Sequence, residues 1–582
     1  MKILLLHNNN VPFSFISENW GDDIDLEIEI IKPSTDDNDY DVFVSHQLES
    51  IFSSNTFDLI ILPYSFSEYN PIEYTGLIVA AHIRLTPEWN HSRKPILFVG
   101  AEETKQVAKL SEMGSILFSP GICSTRTNSL PNLIGGIKEL SVEDITDSEF
   151  DDFLNRIQIP RPSNYATHHS IANEWAVMRW TNVIINWGGY EKPSIDSQTF
   201  TSMLYFKYLI AKEGVKERFS KNWKKNNVIA PKITGISGKT IAYIDDEYNK
   251  GWGNLFSKIF ENSGAKLYIY DRFKEHKNRE ELILDINEFV DSIDADCYLL
   301  DLRLHDDDFD KNKGKLSGHI IADHIKNPKI NRARQVVIFS ASDKVWNMKE
   351  EIQKIGAIDY VLKESPEANF AKEDSLKNFN EFIAAVKKAC DLSYLKDYLK
   401  LLKGNTFETS FPLNNYIDLA LLNNKNVLNS CVLNLNVFIE DNAENRFELT
   451  DGMNIVKKDA NWKCVILNKI KLKRDSNKKI IAIECMRDIA LEAKKYKRTD
   501  GWEDVKYDDS HKKERHMAKM IASLFYYYGL NNSDCGRFLE LRKERNTSAH
   551  EAHRTSYDFA DLKAIFDDII IKIIKKEESA KL

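Results

Sequence analysis

The chain of 582 residues has no Cys-x-x-C pair; its seven cysteines, Cys123, Cys297, Cys390, Cys431, Cys464, Cys485 and Cys535, are scattered. That spacing gives no zinc signature and suits a reducing compartment, with the thiols expected to be buried. Basic charge is also short. Lys and Arg number 79 against 88 Asp and Glu, for a net charge of −9, whereas a protein that coats duplex DNA needs cations in excess to neutralise phosphates. No duplex DNA partner is expected. Apolar runs long enough to span a bilayer are missing, and the opening MKILLLHNNN turns polar too soon for a signal peptide, so it reads as a first strand. The expected location is the cytoplasm, with no membrane partner. What the chain does have is 42% hydrophobic residues and enough length for three to four cores.

Residues 239 to 363 alternate short apolar runs with amphipathic stretches: KTIAYI, GWGNLFSKIFENSG, KLYIY, REELILDINEFVDSI, CYLLD, SGHIIADHIK, QVVIFS, VWNMKEEIQKIG and AIDYVL. This rhythm predicts a parallel sheet with helices on both faces. The first 120 residues repeat it at an offset near 240: DLIILPYSF against DCYLLDLRL, TGLIVAAHIR against SGHIIADHIK, PILFVGA against QVVIFSA. Two copies of one fold are therefore predicted. Between them, aromatic-rich segments such as IANEWAVMRWTNVIINW predict a packed helical connector. After Leu392 helical patterns take over, among them YIDLALLNNKNVLNSCVLNLNVFIE, KKIIAIECMRDIALEAKKYK, HMAKMIASLFYYYG, RFLELRKERN and FADLKAIFDDIIIKIIKK, while CVILNKIKLK fits strand or helix. The expected fold class is α/β plus all-α: two flavodoxin-like, doubly wound, five-stranded parallel folds (1–145 and 237–392), a helical connector (146–236) and a C-terminal helical bundle (393–582).

In doubly wound sheets the functional crevice lies at the carboxyl ends of the strands. The polar residues there are Asp245, Asp246, Asp301, Ser340 and Lys363. Phosphoryl transfer to a carboxylate needs a nucleophilic Asp, a divalent cation and a positive side chain, and this set supplies the Asp, oxygen ligands suited to Mg²⁺, and a Lys. An inert ion-pair cluster is the bland alternative, disfavoured by five matched positions in order.

With these motifs in order over 125 residues, the segment resembles the receiver domain of two-component response regulators. The resemblance implies phosphorylation of Asp301 by a cognate histidine kinase. It also implies Mg²⁺ held by Asp245, Asp246, Asp301 and the carbonyl of Arg303, with Lys363 on the phosphoryl group and Ser340 and Tyr360 as the switch pair. Two departures stand out. The loop HDDDFDKNKGKL is longer than usual, so that Asp306 to Asp308 are expected to crowd the metal or guard access, and Glu364 and Ser365 follow Lys363 where the family often has Pro. In the first copy His7 and Asn8 take the places of Asp245 and Asp246, Pro63 that of Asp301, and Gly100 that of Ser340, which predicts a pseudo-receiver without phosphorylation. His168 and His169 read as a solvent-facing pair at a helix start rather than as relay histidines.

Near the end, LRKERNTSAHE places Arg545, Asn546 and His550 in an R-N-x-x-x-H pattern. In this helical setting it resembles the HEPN family. That resemblance implies a homodimer with a composite, metal-independent endoribonuclease site: Arg545 as phosphate clamp, Asn546 as orienting group and His550 as acid/base on RNA. Residues five apart lie about 140° around a straight helix, so the motif requires a kinked or terminal turn or a partner's motif. HEAH, with His550 and His553, lacks a third soft ligand for zinc. The expected function is a phosphorylation-controlled response regulator with ribonuclease output, fitting a stress or phage-defence effector. The rival is a non-enzymatic adaptor whose helical domain dimerises or binds a partner. A transcription regulator is disfavoured, since no basic recognition helix stands out.

Overall fold

The computed structural model describes residues 1–8, 18–31, 40–53, 55–67, 71–126, 129–140, 143–160, 168–183, 202–219, 231–309, 315–341, 356–364, 372–422, 424–450, 454–458, 461–465, 470–474, 476, 480–485, 502–504, 512–548 and 557–580. The chain divides into two compact units, one of residues 1–324 and 336–390, the other of 325–335 and 391–582. Among the described residues no helix is long and apolar enough to cross a membrane.

The first unit holds two five-stranded parallel sheets. Strands β1 (Lys2–His7), β2 (Asp25–Ile30), β3 (Leu59–Pro63), β4 (Ile96–Val99) and β5 (Ile122–Thr125) lie in the order β2-β1-β3-β4-β5. Strands β6 (Thr240–Ile244), β7 (Lys266–Ile269), β8 (Cys297–Leu300), β9 (Val336–Ser340) and β10 (Asp359–Leu362) repeat that order as β7-β6-β8-β9-β10. The central strands LIILP, CYLL and VVIFS are buried throughout, as continuous apolar runs must be when helices cover both faces. The edge strand β2 instead alternates toward solvent. Helices α1 (Tyr40–Phe52), α2 (Thr75–Leu85), α3 (Thr104–Leu110) and α4 (Leu130–Glu139) accompany the first sheet. The segment VWNMKEEIQKIG falls almost wholly outside the described residues.

The two copies agree in backbone detail. Ile3 lies opposite Leu59 and Ile241 opposite Cys297, so equal steps along the strands bring His7 to the place of Asp245 and Pro63 to that of Asp301. Ile60 faces Ile96 and Tyr298 faces Val336, which puts Gly100 where Ser340 stands. A Cβ on Gly76 would meet the Pro63 carbonyl oxygen at 2.0 Å, and one on Gly318 the Asp301 carbonyl oxygen at 2.2 Å. In both copies the glycine amide donates to the next carbonyl, Tyr64 or Leu302, at 3.0 Å. The helix after the third strand can pass this close only where no side chain intervenes.

The described helices of the connector contribute to both cores. Helix α5 (Asp147–Arg156) opens on a capping box of Thr146 and Glu149 and buries Phe150, Phe153 and Leu154 in the first core. Helix α6 (His168–Val183) sends Trp175 and Met178 into that core and Ala176, Val177 and Trp180 into the second. His168 begins α6, and the side chains of His168 and His169 lie outside the described residues.

The second unit corrects the all-helical expectation. Its core is built mainly on helical residues such as Tyr416, Leu435, Phe538, Leu541 and Phe566, with Phe447 and Ile455 added from strands, and two three-stranded antiparallel sheets lie within 447–504. Ile480–Cys485 is a strand paired with Ile470–Arg474, where the sequence pattern predicted helix. Ile480, Ile481 and Ile483 are β-branched, stiff at χ1 and suited to a pleated surface, and that preference prevails here over the helical period. Residues 325–335, which join the helix Ser317–Ile325 to β9, belong to this unit. Asn331 Nδ2 donates to the Lys396 carbonyl at 2.8 Å, Arg332 bonds Asp418 and Asn414 at 2.9 Å, and Ala333 sits in the helical core.

Candidate functional site

Strands β6, β8, β9 and β10 deliver their terminal residues to one buried pocket. Asp245, Asp301, Ser340 and Lys363 have no solvent exposure. Lys363 Nζ bridges Asp301 Oδ2 at 2.6 Å and Asp245 Oδ2 at 2.7 Å. Asp301 Oδ1 accepts from Ser340 Oγ at 2.6 Å and from the amides of Leu302 and Arg303 at 2.5 and 3.3 Å. Asp245 accepts from the Tyr243 hydroxyl and from the Glu247 amide. Tyr360 turns its hydroxyl onto the Ser340 carbonyl at 3.1 Å.

Three carboxylates share this space. One ligand oxygen from each of Asp245, Asp246 and Asp301 falls within 4.8 Å of the other two. Burial, outweighing Lys363, raises the Asp245 carboxyl, and Asp301 adds to the rise. Burial with the charges of Asp245 and Asp301 pushes Asp246 well above the usual carboxylate range. Burial pulls on Lys363 in the other direction, but Asp245 and Asp301 outweigh it and hold the ammonium charged. Among the described residues the buried Oδ1 of Asp246 has no hydrogen-bond partner. One ammonium against three carboxylates, with a carboxylate oxygen left over, fits a divalent cation of the Mg²⁺ type.

Of the acidic run after β8, Asp308 is taken up by its own loop. Asp308 is buried; its Oδ1 accepts from Arg279 Nε at 2.9 Å and from the Ser317 amide and hydroxyl at 3.0 Å, and its Oδ2 from the Leu304 and His305 amides. It ties the loop to the start of the next helix.

The residues behind Lys363 carry no motif that marks them in the sequence. Glu364 is fully buried; its Oε2 accepts from Arg179 Nε at 2.7 Å and from Ser375 Oγ at 2.6 Å, and its Oε1 accepts from Trp180 Nε1 at 2.9 Å. An acid where a proline is usual signalled that something must neutralise it. The partner, 185 positions away on α6, has no local signature.

In the first copy the described residues at the same strand ends bond to backbone. His7 bonds the Asn8 carbonyl at 2.7 Å, and Asn8 Nδ2 donates to the Phe66 carbonyl at 2.6 Å. A Cβ on Gly100 would meet the Tyr64 ring at 2.4 Å, so that ring takes the space where the Ser340 side chain stands in the other copy.

In the second unit Arg545 lies in the last turn of the helix Asn532–Ser548. Its Nη1 meets Glu440 Oε1 at 3.1 Å, and Arg542 approaches the same oxygen at 3.7 Å. The Asn546 side chain, His550 and His553 lie outside the described residues. Of the cysteines, Cys297, Cys390, Cys431 and Cys535 are buried, while Cys123 and Cys464 are half-buried.

Residues 13–125 match the family model of the inactive receiver domain. The match spans β2 to β5, and a degenerate receiver accords with the loss of carboxylates at His7, Asn8 and Pro63. No curated protein matches the chain.

Proposed function

We propose that residues 237–392 form a phosphorylatable receiver, with Asp301 the phosphoacceptor, and that the chain is a response regulator served by a histidine kinase. The observation that carries this reading is the convergence of Asp245, Asp246, Asp301, Ser340 and Lys363 at the carboxyl ends of adjacent strands. A carboxylate oxygen of Asp301 attacks the phosphorus of the donor phosphohistidine, the P–N bond breaks, and the departing imidazole takes a proton from solvent. Lys363 leaves its bridge to hold a phosphoryl oxygen, and Ser340 donates to another. Mg²⁺ on Asp245, Asp246, Asp301 and the Arg303 carbonyl would neutralise phosphoryl charge.

The test is incubation of the whole protein with radiolabelled acetyl phosphate and Mg²⁺. Wild type is expected to take up a hydroxylamine-labile label, and retention of that label by Asp301→Ala would overturn the assignment.

For the output we propose a metal-independent endoribonuclease of the HEPN type, working as a homodimer with Arg545, Asn546 and His550. What supports it is the sequence motif and its place at the end of the helix Asn532–Ser548, where Glu440 holds the Arg545 guanidinium that an RNA phosphate would have to draw away. Phosphorylated wild type is expected to cut RNA and His550→Ala to lose that cutting. Intact RNA with wild type, or equal cutting by the variant, would remove the nuclease and leave the adaptor reading.

A further inference from the structure

Helix α6 touches both walls of the acidic pocket. On the wall formed by the loop after β6, which carries Asp245 and Asp246, Asn173 Oδ1 accepts from Trp252 Nε1 at 2.8 Å. Gly251, at φ 103, lets Val177 come so near that a Cβ there would meet Val177 Cγ1 at 2.9 Å. Glu174 pairs with Lys250 at 3.4 Å. The other wall is the end of β10, where Arg179 and Trp180 hold Glu364, the residue after Lys363. Trp180 is fully buried, with its ring 5.1 Å from that of Trp252 and 5.3 Å from that of Phe379.

The same helix is fixed at its opposite face. Trp175 and Met178 lie in the core of the inactive receiver domain, with Trp175 stacked on Phe206 at 6.4 Å. A displacement of Glu364 therefore has a rigid, buried lever on which to act. Arg179 is 3% exposed and Glu364 not at all, so neither charge can leave the other without a large desolvation cost. Glu364 and Arg179 have to move together.

We propose that α6 reads the phosphorylation state of Asp301 through Glu364 and passes it to the core of the inactive receiver domain. Lys363 leaves Asp245 for the phosphoryl group, the peptide that follows carries Glu364 with it, and the Arg179 and Trp180 bonds draw α6 along. In this scheme Glu364 and Arg179 are positioning residues, and the inactive copy is the recipient of the signal. The inference rests on the phosphoacceptor reading above.

The experiment is hydrogen exchange on the full-length protein with Mg²⁺, with and without beryllofluoride as acyl-phosphate mimic, with ¹⁹F resonances reporting whether the mimic is bound. In wild type, exchange over α6 and over β1 and β3 is expected to change by about fivefold or more on mimic binding. Glu364→Gln, which keeps the shape but not the charge, is expected to bind the mimic yet lose that change in β1 and β3. Arg179→Lys keeps a buried cation and is expected to retain part of it, giving a second variant should the first not fold. Bound mimic with unchanged wild-type exchange in α6 would overturn the inference while leaving the phosphoacceptor intact, as would Glu364→Gln responding like wild type. Failure of any mimic to bind wild type would remove both.

Discussion

Asp246 shows how a single carboxylate can oppose the fold that holds it. It is crowded by Asp245 and Asp301, and its buried Oδ1 has no partner among the described residues. Asp246→Asn relieves like-charge repulsion and is expected to raise metal-free stability by about 1 kcal/mol. Urea unfolding in a chelator measures this. Adding Mg²⁺ should then stabilise wild type more than the variant, because a cation bound only by the folded state adds to stability by mass action. Lys363 behaves in the opposite way. Lys363→Met strands Asp245 and Asp301 without their shared counter-charge, and the expected loss is about 3–5 kcal/mol.

A third residue-scale effect lies in the first copy. Burial lowers the His82 imidazole below its ordinary value of 6.5, against the pull of Asp41 and with help from Lys207. The folded domain thus refuses a proton that the unfolded chain accepts. No penalty exists above pH 6.5, where both states are neutral, and stability falls as pH drops below it. Unfolding midpoints at pH 5.5 and 7.5 should differ less in His82→Gln than in wild type.

At the scale of elements, Gly251 decides how closely α6 can approach the loop after β6. A side chain there carries two costs, the backbone at φ 103 and the Val177 contact at 2.9 Å. Gly251→Ala is expected to destabilise by about 1–3 kcal/mol. Val177→Ala in the same chain removes only the contact, so the double variant should recover part of the loss, read as a double-mutant cycle in urea. The sheets themselves were legible because parallel strands buried on both faces leave continuous apolar runs bounded by polar residues, and the pocket residues sit at those boundaries. Two things were hidden. The β-branched run at Ile480 sits in a stretch whose apolar spacing also satisfies a helix, so period alone misassigned it. The Arg179–Glu364 pair depends on two segments meeting after folding, and neither RW in α6 nor the acid after Lys363 names its partner.

At the scale of the molecule, the compact units do not follow the order of the chain. Residues 325–335 are flanked in sequence by a helix and strand of the second sheet, yet they belong with the C-terminal unit. Asn331 and Arg332 are the anchors, one bonding the Lys396 carbonyl and the other Asp418 and Asn414. An excursion of this kind has a physical consequence: the unit that loses stability when these anchors are cut is the one distant in sequence. Asn331→Ala with Arg332→Ala is expected to lower the stability of the helices Tyr394–Leu402 and Phe411–Leu422 by about 2–3 kcal/mol, at roughly 1 kcal/mol per hydrogen bond. Hydrogen exchange by peptide reports on each unit separately. Faster exchange in those two helices, with β1 and β3 unchanged, is the expected pattern, whereas loss of protection confined to β8 and β9 would assign the segment to the sheet that surrounds it in sequence.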